Sequence, residues 1–289
     1  MKLLITADDY GVTRGVTDSI LKSVDDGAIN CVSMIANGQD FDRAVDEAKK
    51  RPQMQIAVHL NLTEGKPSSD LRSGELVDSD GNFHLLFQSL LFRYLFSSNK
   101  TKFKQDIKNE VRAQILKIKN AFPGRDIFLN GHDHVHMIPF VFAAVDEVAE
   151  ELNIAYVRIS KEPLFFVPSR VTVYIGSGII KHFLLNILSF YAQKIAVGKK
   201  YKTPDVFVGA LFTGSMSFEV VKCAFRKVLK RKDSPKIIEV LFHPGGESDQ
   251  AQTRWPAGGR SAKWFLSTDR QKESFEVCKP ELLSYFKSL

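Results

Sequence analysis

The chain has 289 residues, 44% apolar and 25% charged, which is enough to bury a full core and too few charges for a disordered chain. A net charge of +7 and a pI near 9.2 favour anionic partners or membrane surfaces, yet no aromatic–basic stacking motif or helix-turn-helix pattern points to nucleic acid. The three cysteines, Cys31, Cys223 and Cys278, lie far apart with no CxxC pair, which argues against a disulfide scaffold and suits a reducing, cytoplasmic setting.

The first element is KLLITA, an apolar run that ends in the carboxylates of ADDYG and is too short for a signal peptide. It reads as a buried strand entering a loop. Thr13 is placed to cap a helix through about Asp26, with Gly27 as its stop. CVSMIAN is a second strand, and DFDRAVDEAKKRP a helix ended by its proline. QIAVHLNL is the third strand. A long turn-rich loop over residues 63–83 follows, then helices over 85–96 and 102–121. DIFLNG is the fourth strand and leads into the helix PFVFAAVDEVAEEL. IAYVRIS is the fifth strand, and an amphipathic helix covers 179–197. DVFVGAL, a helix over 218–230, and KIIEVLF complete the alternation. No uncharged run approaches the roughly 20 residues that span a bilayer. Alternation at this pace predicts an α/β fold, a divergent (β/α) barrel of about seven parallel strands. Residues 1–289 read as one domain with an insertion around 162–202.

Parallel α/β folds place their chemistry at the carboxyl ends of strands. Four predicted strand ends carry carboxylate or imidazole: ADDYG, VHLN, GHDHVH and LFHPGG. Neighbouring strand residues face opposite ways, so Asp8 and Asp9 can serve one site only where the strand breaks, and Gly11 supplies a break. Such a pair could divide labour between cation and proton, or be a helix cap beside a solvated acid. His59 shares a strand face with Ala57, Asn61 and Thr63, a polar, small-residue face suited to a barrel mouth. A lone histidine there is also an ordinary hydrogen-bonded core residue. Read as extended chain, NGHDHVHMIP sets His132, His134 and His136 on one face, with the outer α-carbons about 13 Å apart at roughly 3.3 Å per residue. All three cannot easily grip one ion, and spacing does not choose among them. His243, at a strand end before PGG, is placed for general acid or base work, with a structural histidine as ready an explanation.

ADDYG, HLNLTEGKP and GHDHVHMIP, in this order, resemble the YdjC-like (ChbG-type) carbohydrate deacetylases, whose usual forms are close to ADDFG, HLNLTEGKP and G/S-H-x-H-V-H-M-x-P. LFHPGG continues the likeness, whereas residues 162–202 carry none of it. The resemblance implies a polysaccharide-deacetylase-like barrel and a metal-dependent hydrolase that removes the N-acetyl group from an acetylated amino sugar. It implies one divalent ion held by Asp9, His59 and His132, with Asp8 as the base; the family is commonly described with Mg2+, while two imidazole ligands favour Zn2+ or another late transition ion. By analogy with polysaccharide deacetylases, His243 is the acid. His134, His136 and Asn61 are then expected to orient water, sugar hydroxyls or the ligands themselves. Tyr10 stands where Phe is common, a mild departure.

One stretch goes beyond that likeness. IIKHFLLNILSFYAQKIAVGKKYK sets Ile180, Phe183, Leu184, Ile187, Leu188, Tyr191 and Ile195 on one helical stripe with lysines at both ends. LLFQSLLFRYLFSSNKTKFK is similar in character. Packing against the barrel is the plain reading, but such a segment can lie in a membrane interface. The expectation is a lipid-linked N-acetylated amino sugar at the cytoplasmic, inner membrane face, with peripheral contact through 179–202. Anionic lipid phosphates would suit the basic clusters KTKFKQDIK, KIAVGKKYK and FRKVLKRKD, which are equally a solvated face. The rival readings are another metal hydrolase, such as a phosphoesterase, and a non-enzymatic polyanion-binding protein. Homo-oligomerisation is left open.

Overall fold

The computed structural model of the chain describes residues 1–230, 235–246 and 260–289. Seven strands, β1 (Lys2–Tyr10), β2 (Cys31–Met34), β3 (Gln55–Leu60), β4 (Ile127–Gly131), β5 (Tyr156–Val157), β6 (Val206–Val208) and β7 (Ile237–Phe242), form one sheet in the order β5-β4-β3-β2-β1-β7-β6. Every pairing is parallel. The sheet curls until its edges meet neighbouring segments: Val157 N donates to Lys202 O (2.9 Å), and Phe207 N to Lys161 O (3.1 Å). This is the expected α/β barrel-like architecture of seven parallel strands.

The connections are α1 (Arg14–Asp25), α2 (Phe41–Lys49), α3 (Phe87–Phe96), α4 (Lys100–Ala121), α5 (Pro139–Glu151), α6 (Ser177–Ala196) and α7 (Phe218–Val228). After β7 come α8 (Arg260–Phe265), α9 (Thr268–Val277) and α10 (Pro280–Lys287), three helices beyond the predicted strand–helix alternation. Thr13 caps α1 as its position predicts, its side chain accepting from Val16 N. Helical spacing puts Val16, Ile20 and Leu21 of α1, and Val220, Val221, Ala224, Phe225 and Val228 of α7, against the sheet. β2, β3, β4 and β7 are buried almost throughout, so their sequences are near-continuous apolar runs.

Three expectations are corrected. HDHVHM is not extended: His132–Met137 forms a 3₁₀ turn in which Asp133 (φ 50°) and His134 (φ 59°) take left-handed backbone. The three histidines therefore leave in different directions. The break in β1 falls at Asp9 itself (φ 75°), where the pairing register with β2 slips between Ala7 and Tyr10. Gly11 (φ 84°) follows as a second turn, so the strand runs through Asp8 and Asp9 and does not end before them. The helix foreseen at 179–197 exists, but its stripe divides. Leu188 is buried with His182, Leu185, Ser189 and Ala192, whereas Ile180, Phe183, Ile187 and Tyr191 are exposed. Arg231, Lys232 and Asp233 of the cluster FRKVLKRKD lie outside the described residues.

Candidate functional site

The left-handed backbone at Asp9 turns both neighbouring carboxylates into the mouth of the barrel. Asp adopts this region more readily than most residues, though at some cost. Both aspartates are buried, and they line one well of about 150 Å³ with His59, His132, His134 and His243. Candidate ligand atoms of Asp9, His59 and His132 all lie within 4.8 Å of one another. His132 Nδ1 meets Asp9 Oδ1 at 2.8 Å, and His59 Nε2 lies 3.3 Å from the same oxygen.

Each of these groups is held from behind. His59 Nδ1 donates to Asn130 Oδ1 (2.6 Å), whose amide nitrogen donates in turn to Ser33 Oγ (2.7 Å). That bond puts the ring proton on Nδ1 and leaves the Nε2 lone pair facing Asp9, the orientation a metal ligand needs. The other oxygen of Asp9 accepts from Arg270 Nη1 (2.6 Å), so Oδ1 is the one left to the histidines. Arg270 Nη2 donates to Pro244 O (2.8 Å), and its guanidinium lies so close over Gly245 that a Cβ there would meet Nε at 2.5 Å. Asp8 receives both arms of Arg158, Nη1 to Oδ2 (2.7 Å) and Nη2 to Oδ1 (3.0 Å). Arg158 also donates to Glu239 Oε1, and Glu239 accepts from Thr6 and Tyr156 hydroxyls.

These arrangements set the charge states. Burial opposes ionisation of Asp8, but Arg158 and His59 outweigh it and hold the carboxyl well below the usual range. Asp9 is likewise held low against its burial, by His132 and Arg270. Burial would lower His132, yet the Asp9 carboxylate pushes it up to about 10, so without an ion it is an imidazolium paired with Asp9. A cation bound there would take the place of that proton.

The remaining expected residues divide. His243 reaches the well from the end of β7, its ring edge-on to Trp264 (5.5 Å between centroids) and its Nδ1 3.7 Å from Glu273 Oε2. His134 lines the well and shares a hydrogen bond with Ser160 Oγ (2.8 Å). His136 lies beneath the turn: its Nε2 donates to the Arg158 carbonyl (3.1 Å), and its ring packs over Gly131. Asn61 is occupied with the following loop, accepting from Thr63 N and Glu64 N and donating to Asn37 Oδ1 and Glu64 O.

A family model described as YdjC-like protein matches residues 2–288. The chain belongs to the YdjC-like protein family. Its relatives include a carbohydrate deacetylase of Danio rerio, 27% identical over 99% of this chain and 95% of that protein. Another, from Listeria monocytogenes serotype 4b (strain CLIP80459), is 28% identical over 84% of this chain and 81% of that protein. The fold is shared with a crystal structure from Enterococcus faecalis V583 described as a candidate cellobiose-phosphate cleavage protein. The TM-score is 0.68 and the identity 19%, over 99% of this chain and 94% of that one.

Within this YdjC-like site, sequence reasoning missed Arg158, Glu239, Arg270, Glu273, Lys181, Thr213 and Trp264. Two had a signal. Arg158 in IAYVRIS and Glu239 in KIIEVLF are charges inside otherwise apolar strands, and a buried charge demands a partner. Arg270 sits in the polar helix TDRQKESFEV, where nothing distinguishes it from a surface arginine.

Proposed function

We propose that the chain is a metal-dependent amide hydrolase that removes the N-acetyl group from an acetylated amino sugar. The observation that supports it most is the buried trio Asp9, His59 and His132, with Asp8 and His243 lining the same well. The donor set fits a divalent ion: one carboxylate oxygen and two ring nitrogens converge, and the His59 lone pair is already aimed inward by Asn130. One carboxylate with two imidazoles favours zinc or another late transition ion, and magnesium remains the alternative from family likeness. When bound, such an ion acidifies a water molecule and polarises the acetyl carbonyl.

The protein's own groups supply the rest. Asp8, ionised and held beside the trio by two bonds from Arg158, takes the role of base from the family likeness, although the same bonds weaken its affinity for the proton of the attacking water. His243 donates a proton to the departing nitrogen, since an amide anion is too poor a leaving group at neutral pH. Trp264 offers a flat apolar wall to a pyranose ring, and His134 a polar contact for its hydroxyls. His136 holds the Arg158 backbone and Asn61 the loop after β3, so both support the well from outside it. The names of the similar proteins favour a carbohydrate substrate, and three unpaired cysteines fit a cytoplasmic setting.

Acetate release from N-acetylglucosamine oligosaccharides, set beside turnover of a phosphate ester, tests the reading. Chelation should abolish release and Zn2+ or Mg2+ restore it, the better ion identifying the native one. Asp8→Asn should cut turnover about 10²–10⁴-fold with metal content unchanged. Phosphate-ester turnover without acetate release would replace this reading with the phosphoesterase one.

A further inference from the structure

The polar well adjoins a second cavity of different chemistry. A groove of about 440 Å³ lies between the start of α3 and the first turns of α6, walled by Phe87, Ile180, Leu184 and Leu185. It shares Asp133 and Lys181 with the well, so the two are continuous. A sugar uses hydroxyl partners, which the well supplies. The groove supplies mainly alkyl surface, with Phe87 its single ring, and offers few partners for a free sugar's hydroxyls.

The helices that wall the groove also carry large apolar side chains into solvent. On α3 these are Phe92, Leu95 and Phe96, the last 83% exposed, and on α6 Phe183, Ile187 and Phe190, with Ile187 68% exposed. Lysines lie beside a ring of each helix: Lys194 Nζ is 4.5 Å from the Phe190 ring centroid on α6, and Lys104 Nζ of α4 is 5.2 Å from that of the half-buried Tyr94 on α3. Apolar rings flanked by long cationic side chains match the boundary between acyl chains and anionic headgroups. Among the described residues no single helix is long and apolar enough to cross a membrane. The 3₁₀ segment Pro168–Tyr174 and α6 pass that test only together, bent by 77°.

We infer that the substrate of this site carries a hydrocarbon chain, which lies in the α3–α6 groove while the exposed faces of α3 and α6 rest on an anionic bilayer. The inference rests on the sugar-deacetylase reading of the well. Lys181 stands at the junction with no hydrogen-bond or ion-pair partner among the described residues, where an anionic linkage between sugar and chain would pass.

The test uses the full chain in two arms. In the first, flotation is measured with phosphatidylcholine vesicles, with and without phosphatidylglycerol. The wild type should float with the anionic vesicles. F183E/I187E should not, while keeping acetate release from a soluble N-acetylglucosamine glycoside. In the second arm, kcat/KM for an octyl glycoside below its micelle concentration should exceed that for the methyl glycoside by at least about tenfold, some 1.4 kcal/mol. Leu184→Trp, which fills the groove, should bring that ratio toward one. A wild type that stays at the bottom of both gradients, or equal kcat/KM for the two glycosides, overturns the inference. So does a dimer that F183E/I187E dissociates without any flotation, since the face would then belong to a second copy. Flotation needs no turnover: a chain that floats yet releases acetate from no sugar sinks the deacetylase reading and leaves the docking face standing.

Discussion

The well and the outer face of α6 are built on opposite terms. At the floor of the well the buried charges answer one another: Asp9 is met by His132 and Arg270, Asp8 by Arg158, and Arg158 again by Glu239. On the outer face Phe183 and Ile187 are exposed and make no part of the core. The first region is over-determined, so a single loss should be felt throughout it. The second stands free of the fold, so its residues are open to a role that folding does not ask for.

The sharpest way to break this contrast is Arg158→Met. It leaves Asp8 and Glu239 buried without their shared cation and should cost about 3–5 kcal/mol in urea unfolding. A loss below about 1 kcal/mol would mean the well is less tightly coupled than its geometry indicates. Asn130→Leu removes the bond that orients His59, and calorimetric titration with Zn2+ should show affinity lowered about 10–100-fold. A third test uses pH. Burial and then Arg158 push His136 down to about 3. A histidine lowered by folding contributes fully above its unfolded value, near 6.5, and loses that contribution as pH falls toward the folded one. Between pH 7 and 5 this should remove about 2 kcal/mol, and His136→Gln should flatten that part of the stability profile. The smallest effect is expected on the other side of the comparison: Ile187→Glu should shift stability by no more than about 0.5 kcal/mol. A large loss there would show that α6 is seated through its outer face after all.

The sequence made some of this plain and hid the rest for physical reasons. Strand–helix alternation showed the seven-stranded architecture, because each buried parallel strand is a near-continuous apolar run. The motifs around Asp8, His59, His132 and His243 were visible because polar residues at strand ends stand out against those runs. Alternating histidines imitated a strand, and no glycine marked the left-handed backbone at Asp133 and His134 that makes a turn of them. Apolar spacing gave the helix α6 but not which side the barrel would take. That choice depended on Leu185 and Ala192 meeting a surface assembled from distant segments.

The Asp9–Arg270 bond joins residues 261 positions apart. On the ribosome, therefore, the aspartate emerges 261 residues before its partner exists. Until α9 arrives and lays its arginine over Gly245, the nascent barrel holds a carboxylate aimed by only half of its support. Completion of the site thus waits on synthesis of α9, and a truncation before Arg270 would disable a carboxylate 261 positions upstream.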